Sequence, residues 1–308
     1  MYGTGAGERV PRAALTLAVA AWAVACTEGG APSSSPREPG ATPVVLRLDP
    51  YFRELRTLAV EVGGDTLPFL FDTGGGVSLV TPSVAEALAC SPHGRKAGFR
   101  MRGEPVEFRL CDDVTLRVAG LEVPHRTIAV WDLMAVLPEG FPPLGGLVSL
   151  QTFQDRALTV DLAAGELIVE TAASLAARTS AMKELEARIA TGIDGGSLTL
   201  FVAANTPQGK LWFLLDSGNI DRTLLAPHAA FEQLGLSRPD ERSRGAGGRV
   251  ELSGVPLPLV GLEPQRTPVA VQRLIYDGVL GAAFLRDRAI TLDLFRGRAW
   301  ASPRRGGA

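Results

Sequence analysis

The feature that most constrains this chain is a duplication. Residues 67–71 (LPFLF) run into Asp72-Thr73-Gly74, and residues 210–215 (KLWFLL) run into Asp216-Ser217-Gly218. An apolar stretch followed by a carboxylate, a small hydroxyl residue and a glycine is a common turn when met once. Here the surroundings recur in the same order. A β-like run precedes each site (residues 55–62 and 197–203), and a short helix with proline at its first position follows each (81–88 and 226–234). Further on, Gly146-Leu147-Val148-Ser149 stands in register with Gly278-Val279-Leu280-Gly281, and residues 155–162 (DRALTVDL) with 287–294 (DRAITLDL). A two-fold internal repeat therefore sets the architecture.

Between these anchors, Val, Leu, Ile and Thr alternate with polar residues and are broken by Gly and Pro, which predicts short antiparallel strands in each half. Residues 171–189, rich in Ala, Glu and Lys, predict a connecting helix, and residues 192–196 close that linker. The expected organisation is a first lobe over 44–170, a helical linker over 171–196, a second lobe over 197–302 and a tail over 303–308.

The N-terminus predicts export. Arg9 and Arg12 precede an apolar stretch over 13–25 that is too short for an ordinary membrane-spanning helix. Residues 1–25 read as a signal peptide, and Ala23-Val24-Ala25-Cys26 resembles a bacterial lipobox, with Ala23 where leucine is usual. Cys26 is then the expected lipid attachment point, in the bacterial envelope. The same residues also satisfy the rule for ordinary signal cleavage, which leaves simple secretion open. Residues 26–43, rich in Gly, Ser and Pro, read as a flexible tether. The remaining cysteines, Cys90 and Cys111, form an even pair in an exported chain, so both a disulfide and two buried thiols are open.

The chain carries 31 Lys and Arg against 33 Asp and Glu, a balance that offers nothing to nucleic acid. His93, His125 and His228 lack metal-ligand spacing, and no Gly-x-Ser-x-Gly or His-Glu-x-x-His run is present. Neither a metal nor a cofactor is expected.

The duplicated apolar-apolar-Asp-Thr/Ser-Gly motif with its later apolar-Gly strand resembles the aspartic protease superfamily, specifically bacterial retropepsin-like proteins with two copies in one chain. The resemblance spans about residues 44–302. It implies a mainly β, bilobal acid-protease-like fold in which Asp72 and Asp216 form a catalytic pair and one chain is a complete monomer. It also implies that Thr73 and Ser217 lock the two loops together, that Gly74 and Gly218 lie against the carboxylates, and that a peptide or protein is the substrate. Flaps over the substrate are expected from Gly-containing hairpins, with Gly98, Phe99 and Gly103 in the first half and Gly245 and Gly247 in the second. The chain departs from the family pattern at Gly75, Asn219 and Ser149. These departures admit an alternative, a catalytically weak or inactive peptide-binding lipoprotein that keeps the fold.

Overall fold

A computed structural model describes residues 42–305 except 138, 193 and 239–247. The export segment, Cys26, nearly all of the tether, Gly245 and Gly247 lie outside the described residues. Among the described residues no helix is long and apolar enough to cross a membrane.

The protein has the mainly β, bilobal acid-protease-like fold that the resemblance implies, built from three sheets. In the first lobe, the strand Asp65–Asp72 lies between Arg56–Val62, antiparallel to it, and Gly146–Ser149, parallel to it. Leu79–Val80, which follows the Asp72 turn, pairs with the other edge of Gly146–Ser149. The second lobe repeats this with Gly209–Asp216 between Leu198–Thr206 and Gly278–Gly281, and with Thr223–Leu225 returning on the far side. A strand in the middle of a sheet covered on both faces takes a continuous apolar run rather than an alternating one. Phe69, Leu70 and Phe71 are accordingly buried, as are Phe213, Leu214 and Leu215. Burying each such side chain contributes about 1.5–3 kcal/mol, which is enough to hold a carboxylate at the strand's end.

The third sheet joins the lobes. Its order is Val44–Arg47, Glu166–Glu170, Ala157–Asp161, Ile290–Asp293, Arg298–Ala301 and Lys183–Leu185. The two central strands come from the matching segments of the repeat and run antiparallel, with Thr159 opposite Thr291 and their hydroxyls 2.8 Å apart. The near-symmetry axis of the molecule passes through this pair of strands.

The expected linker helix is corrected. Helix covers Ala172–Thr179 only, capped by Thr171 and Ser174. The chain then forms two strands, Lys183–Leu185 against Arg298–Ala301 and Ala187–Thr191 against Leu198–Thr206. Helix propensity is a weak prior, and here two exposed sheet edges offered a full ladder of backbone hydrogen bonds in its place. The second short helix also differs, since residues Ala229–Gln233 form a π-helical turn, whereas Pro82–Ala87 is α-helical with proline in its first turn.

Candidate active site

Each aspartate sits where a central strand ends in a tight turn, closed by Gly75 N–H donating to Asp72 O at 3.4 Å and Asn219 N–H donating to Asp216 O at 3.3 Å. Thr73 and Ser217 tie the two turns together reciprocally. The Thr73 hydroxyl donates to Leu215 O (2.8 Å) and accepts from Ser217 N–H (3.0 Å). The Ser217 hydroxyl donates to Phe71 O (3.0 Å) and accepts from Thr73 N–H (3.0 Å). All four bonds are buried, and each contributes about 0.5–1.5 kcal/mol net. Their arrangement fixes one turn against the other.

The glycines allow the close approach. A Cβ at Gly74 would stand 2.6 Å from Asp216 Cγ, and one at Gly218 would stand 2.4 Å from Asp72 Cγ. Each turn therefore packs its bare backbone onto the opposite carboxyl. Asp72 Oδ1 accepts N–H hydrogen bonds from Gly74 (2.8 Å) and Gly218 (3.2 Å).

The electrostatics are unequal. Burial raises the Asp72 carboxyl above its ordinary range, opposed by the backbone N–H groups. Asp216 is pushed up much further, first by burial, then by the Asp72 charge. Two adjacent carboxylates cannot both ionise cheaply, so the pair keeps one proton. The backbone donors favour charge on Asp72, and the stronger upward push falls on Asp216. Tyr276, whose ring is tilted at 59° to that of Phe201 with centroids 5.5 Å apart, is itself raised chiefly by burial.

Ser149 and Gly281, the last residues of the repeated strands, explain one departure from symmetry. A Cβ at Gly281 would fall 1.9 Å from Asp221 O. At the matching place in the first lobe, Ser149 is fully buried, with its N–H donating to the Ser78 hydroxyl (3.0 Å) and its own hydroxyl 3.1 Å from that of Ser78. Ser78 thus supplies the acceptor that the Arg222 carbonyl supplies to Gly281 N–H.

Of the first-half flap residues, Gly98 and Phe99 end the strand His93–Phe99, where Phe99 is exposed, and Gly103 forms the hairpin tip with φ +89°. The tip reaches the second lobe. Met101 O accepts from Ile275 N–H (3.0 Å), and the Asn219 amide lies 3.8 Å from Met101 Sδ. Asn219 stood out in the sequence as a departure from the family pattern, but its contact with Met101, 118 residues away, carried no local signal. Cys90 and Cys111 are joined by a disulfide with Cα atoms 6.0 Å apart. Among the described residues no group of three or more His, Cys, Asp or Glu could hold a metal ion.

No family model and no curated protein matches the sequence. Among solved structures the chain is similar to conglutin gamma, a basic 7S globulin from lupine seeds, with 12% identity and a TM-score of 0.51 over 85% of this chain and 95% of that one. It is also similar to basic 7S globulin from soybean, with 13% identity and a TM-score of 0.49 over 84% and 94%. At these identities the likeness extends to the fold alone.

Proposed function

We propose that the chain is an aspartic endopeptidase, an exported relative of the retropepsins in which Asp72 and Asp216 activate a water between them. The observation that carries this reading is the pair of carboxyls at the meeting point of two interlocked turns, each packed against the glycine of the opposite turn. A shared proton makes one carboxyl a base and the other an acid. Ionised Asp72, steadied by Gly74 and Gly218 N–H, takes a proton from the water. The water attacks the peptide carbonyl while protonated Asp216 hydrogen-bonds the developing oxyanion. Substrate lies extended beneath the hairpin tip at Gly103. The test is incubation of the chain with a diverse peptide mixture across pH, with and without pepstatin. Cleavage that pepstatin suppresses is the expected result; intact peptides at every pH would sink the reading.

One observation favours a second reading, a non-catalytic peptide-binding lipoprotein. The hairpin tip is bonded to the second lobe through Met101 and Asn219, which suits retention of a peptide as well as turnover. Conglutin gamma is described as a globulin, so the two-lobed fold by itself does not carry the enzyme assignment. Saturable binding of labelled peptides without hydrolysis would select this reading. Attachment through Cys26 belongs to both readings and is checked by metabolic labelling with a fatty-acid analogue. Label should enter the wild-type chain and not the Cys26→Ala chain.

A further inference from the structure

Each lobe carries a cavity whose walls do not include the aspartates, and the two cavities are related by the duplication. In the first lobe a cavity of about 740 Å³ is lined by Ser78, His125, Thr152 and Arg156. In the second, a cavity of about 230 Å³ is lined at the corresponding positions by Arg222, Arg266, Phe284 and Arg288. The correspondence follows from sequence and register: Arg156 and Arg288 share the repeated Asp-Arg-Ala, Thr152 and Phe284 stand equally far past Gly146 and Gly278, and the strands bearing His125 and Arg266 pair alike with Leu79 and Leu224, while one extra residue after Asp216 brings Arg222 near the place of Ser78.

The matching arginines differ in their surroundings. Arg156 keeps 27% of its side chain exposed and faces Asp155 at 3.6 Å. Arg288 is 2% exposed, and its Nε has no hydrogen-bond partner. Its neighbour Asp287 is committed elsewhere, to Arg222 at 2.6 Å and Arg304 at 3.2 Å. The first lobe shows that the repeat tolerates a solvated arginine at this position, so burial of Arg288 is not a requirement of the fold. An arginine stays protonated; the Arg288 guanidinium lies over the Phe284 ring, 5.7 Å from its centroid, and a buried charge whose Nε–H lacks an acceptor is costly. Four arginines line the second cavity, against Glu263 on its wall and Asp287 beside it. The lining also has an apolar part, formed by Leu257, Leu259 and Leu262.

We propose that this second-lobe cavity binds a small amphiphilic carboxylate, whose acid group is held by Arg288 and Arg304 and whose apolar body lies on the leucine wall. A bare inorganic anion would leave that wall unfilled, and the volume is below the usual range for drug-sized ligands, roughly 300–1,000 Å³, so the body is compact. The site is independent of the peptidase reading.

Isothermal titration calorimetry of the full chain with phenylacetate, its neutral analogue phenylacetamide and inorganic phosphate tests the proposal. Phenylacetate should saturate a single site, with the amide and phosphate at least tenfold weaker. Arg288→Met should weaken phenylacetate binding at least tenfold. Should Arg288→Met fail to unfold cooperatively, Arg304→Gln, a change at a more exposed side chain, should weaken the same binding severalfold. The proposal is overturned by the absence of saturable phenylacetate binding. It is equally overturned by phosphate or amide binding as tight as phenylacetate, or by undiminished binding in a folded variant.

Discussion

A carboxyl that is desolvated and faces a second carboxylate keeps its proton to a higher pH than it would in water, and this has a consequence for stability. Unfolded aspartates release their protons near about 3.9, whereas folded Asp216 does so well above that range and Asp72 above it to a smaller extent. Between the unfolded and folded values the native chain binds more protons than the unfolded one. Stability is therefore full at acid pH and falls as pH rises through that window. Asp216→Asn removes the larger of the two titrations while keeping the side chain's shape. The variant is expected to match the wild type at acid pH and exceed it in stability at neutral pH, measured by denaturant unfolding across pH; parallel stability curves would contradict the shared proton. Peptide hydrolysis by the same variant should fall by about 10³-fold or more, since the pair works as a unit. At this scale the two aspartates, Thr73, Ser217 and the two glycines were legible in the sequence because the duplication printed them twice. The Ser78–Ser149 contact, Asn219 against Met101 and Tyr276 against Phe201 were not, because each joins positions that no local pattern relates.

Among the elements, the hairpin of His93–Phe99 and Pro105–Val118 carries its tip to the second lobe, and it is clamped at its root. Cys90 lies just before its first strand and Cys111, fully buried, within its second. The disulfide closes a loop with a sequence separation of 21 that contains the tip bonded to Ile275. Closing a loop of this length stabilises the fold by about 3 kcal/mol. Urea unfolding with and without reductant should show a loss of about that size, and reduced protein of unchanged stability would remove the clamp from the account. The linker illustrates the opposite case of legibility. Alanine, glutamate and lysine over 171–189 pointed to one helix, yet Ile189 pairs with Leu200 and Leu185 with Ala299. The sequence carries the propensity of the segment, whereas the vacant sheet edges that claim it exist only once both lobes have formed.

For the whole molecule, the decisive contact is the sheet that both halves build together. Simple retropepsins, with which the proposed function groups this chain, assemble a site from two identical chains, each giving one aspartate. Here the central strands Ala157–Asp161 and Ile290–Asp293 belong to one chain and pair over four residues, with Thr159 and Thr291 bonded across the axis. The linker strand Lys183–Leu185 continues the sheet on one side and Val44–Arg47 closes it on the other. The repeat predicted two lobes, but not this shared sheet, because the matching segments show no sequence signal for pairing with each other rather than within their own lobes. Exchange of halves between two molecules would require opening this six-stranded sheet and the four hydrogen bonds of Thr73 and Ser217. One molecule should therefore hold the complete site. Mixing the Asp72→Asn and Asp216→Asn proteins is expected to restore no peptide hydrolysis, and the specific activity of the wild type should not fall on dilution. Activity regained in the mixture would show that the halves pair between chains. A loss of activity on dilution would show that a second copy completes the site, which the continuous sheet within one chain argues against.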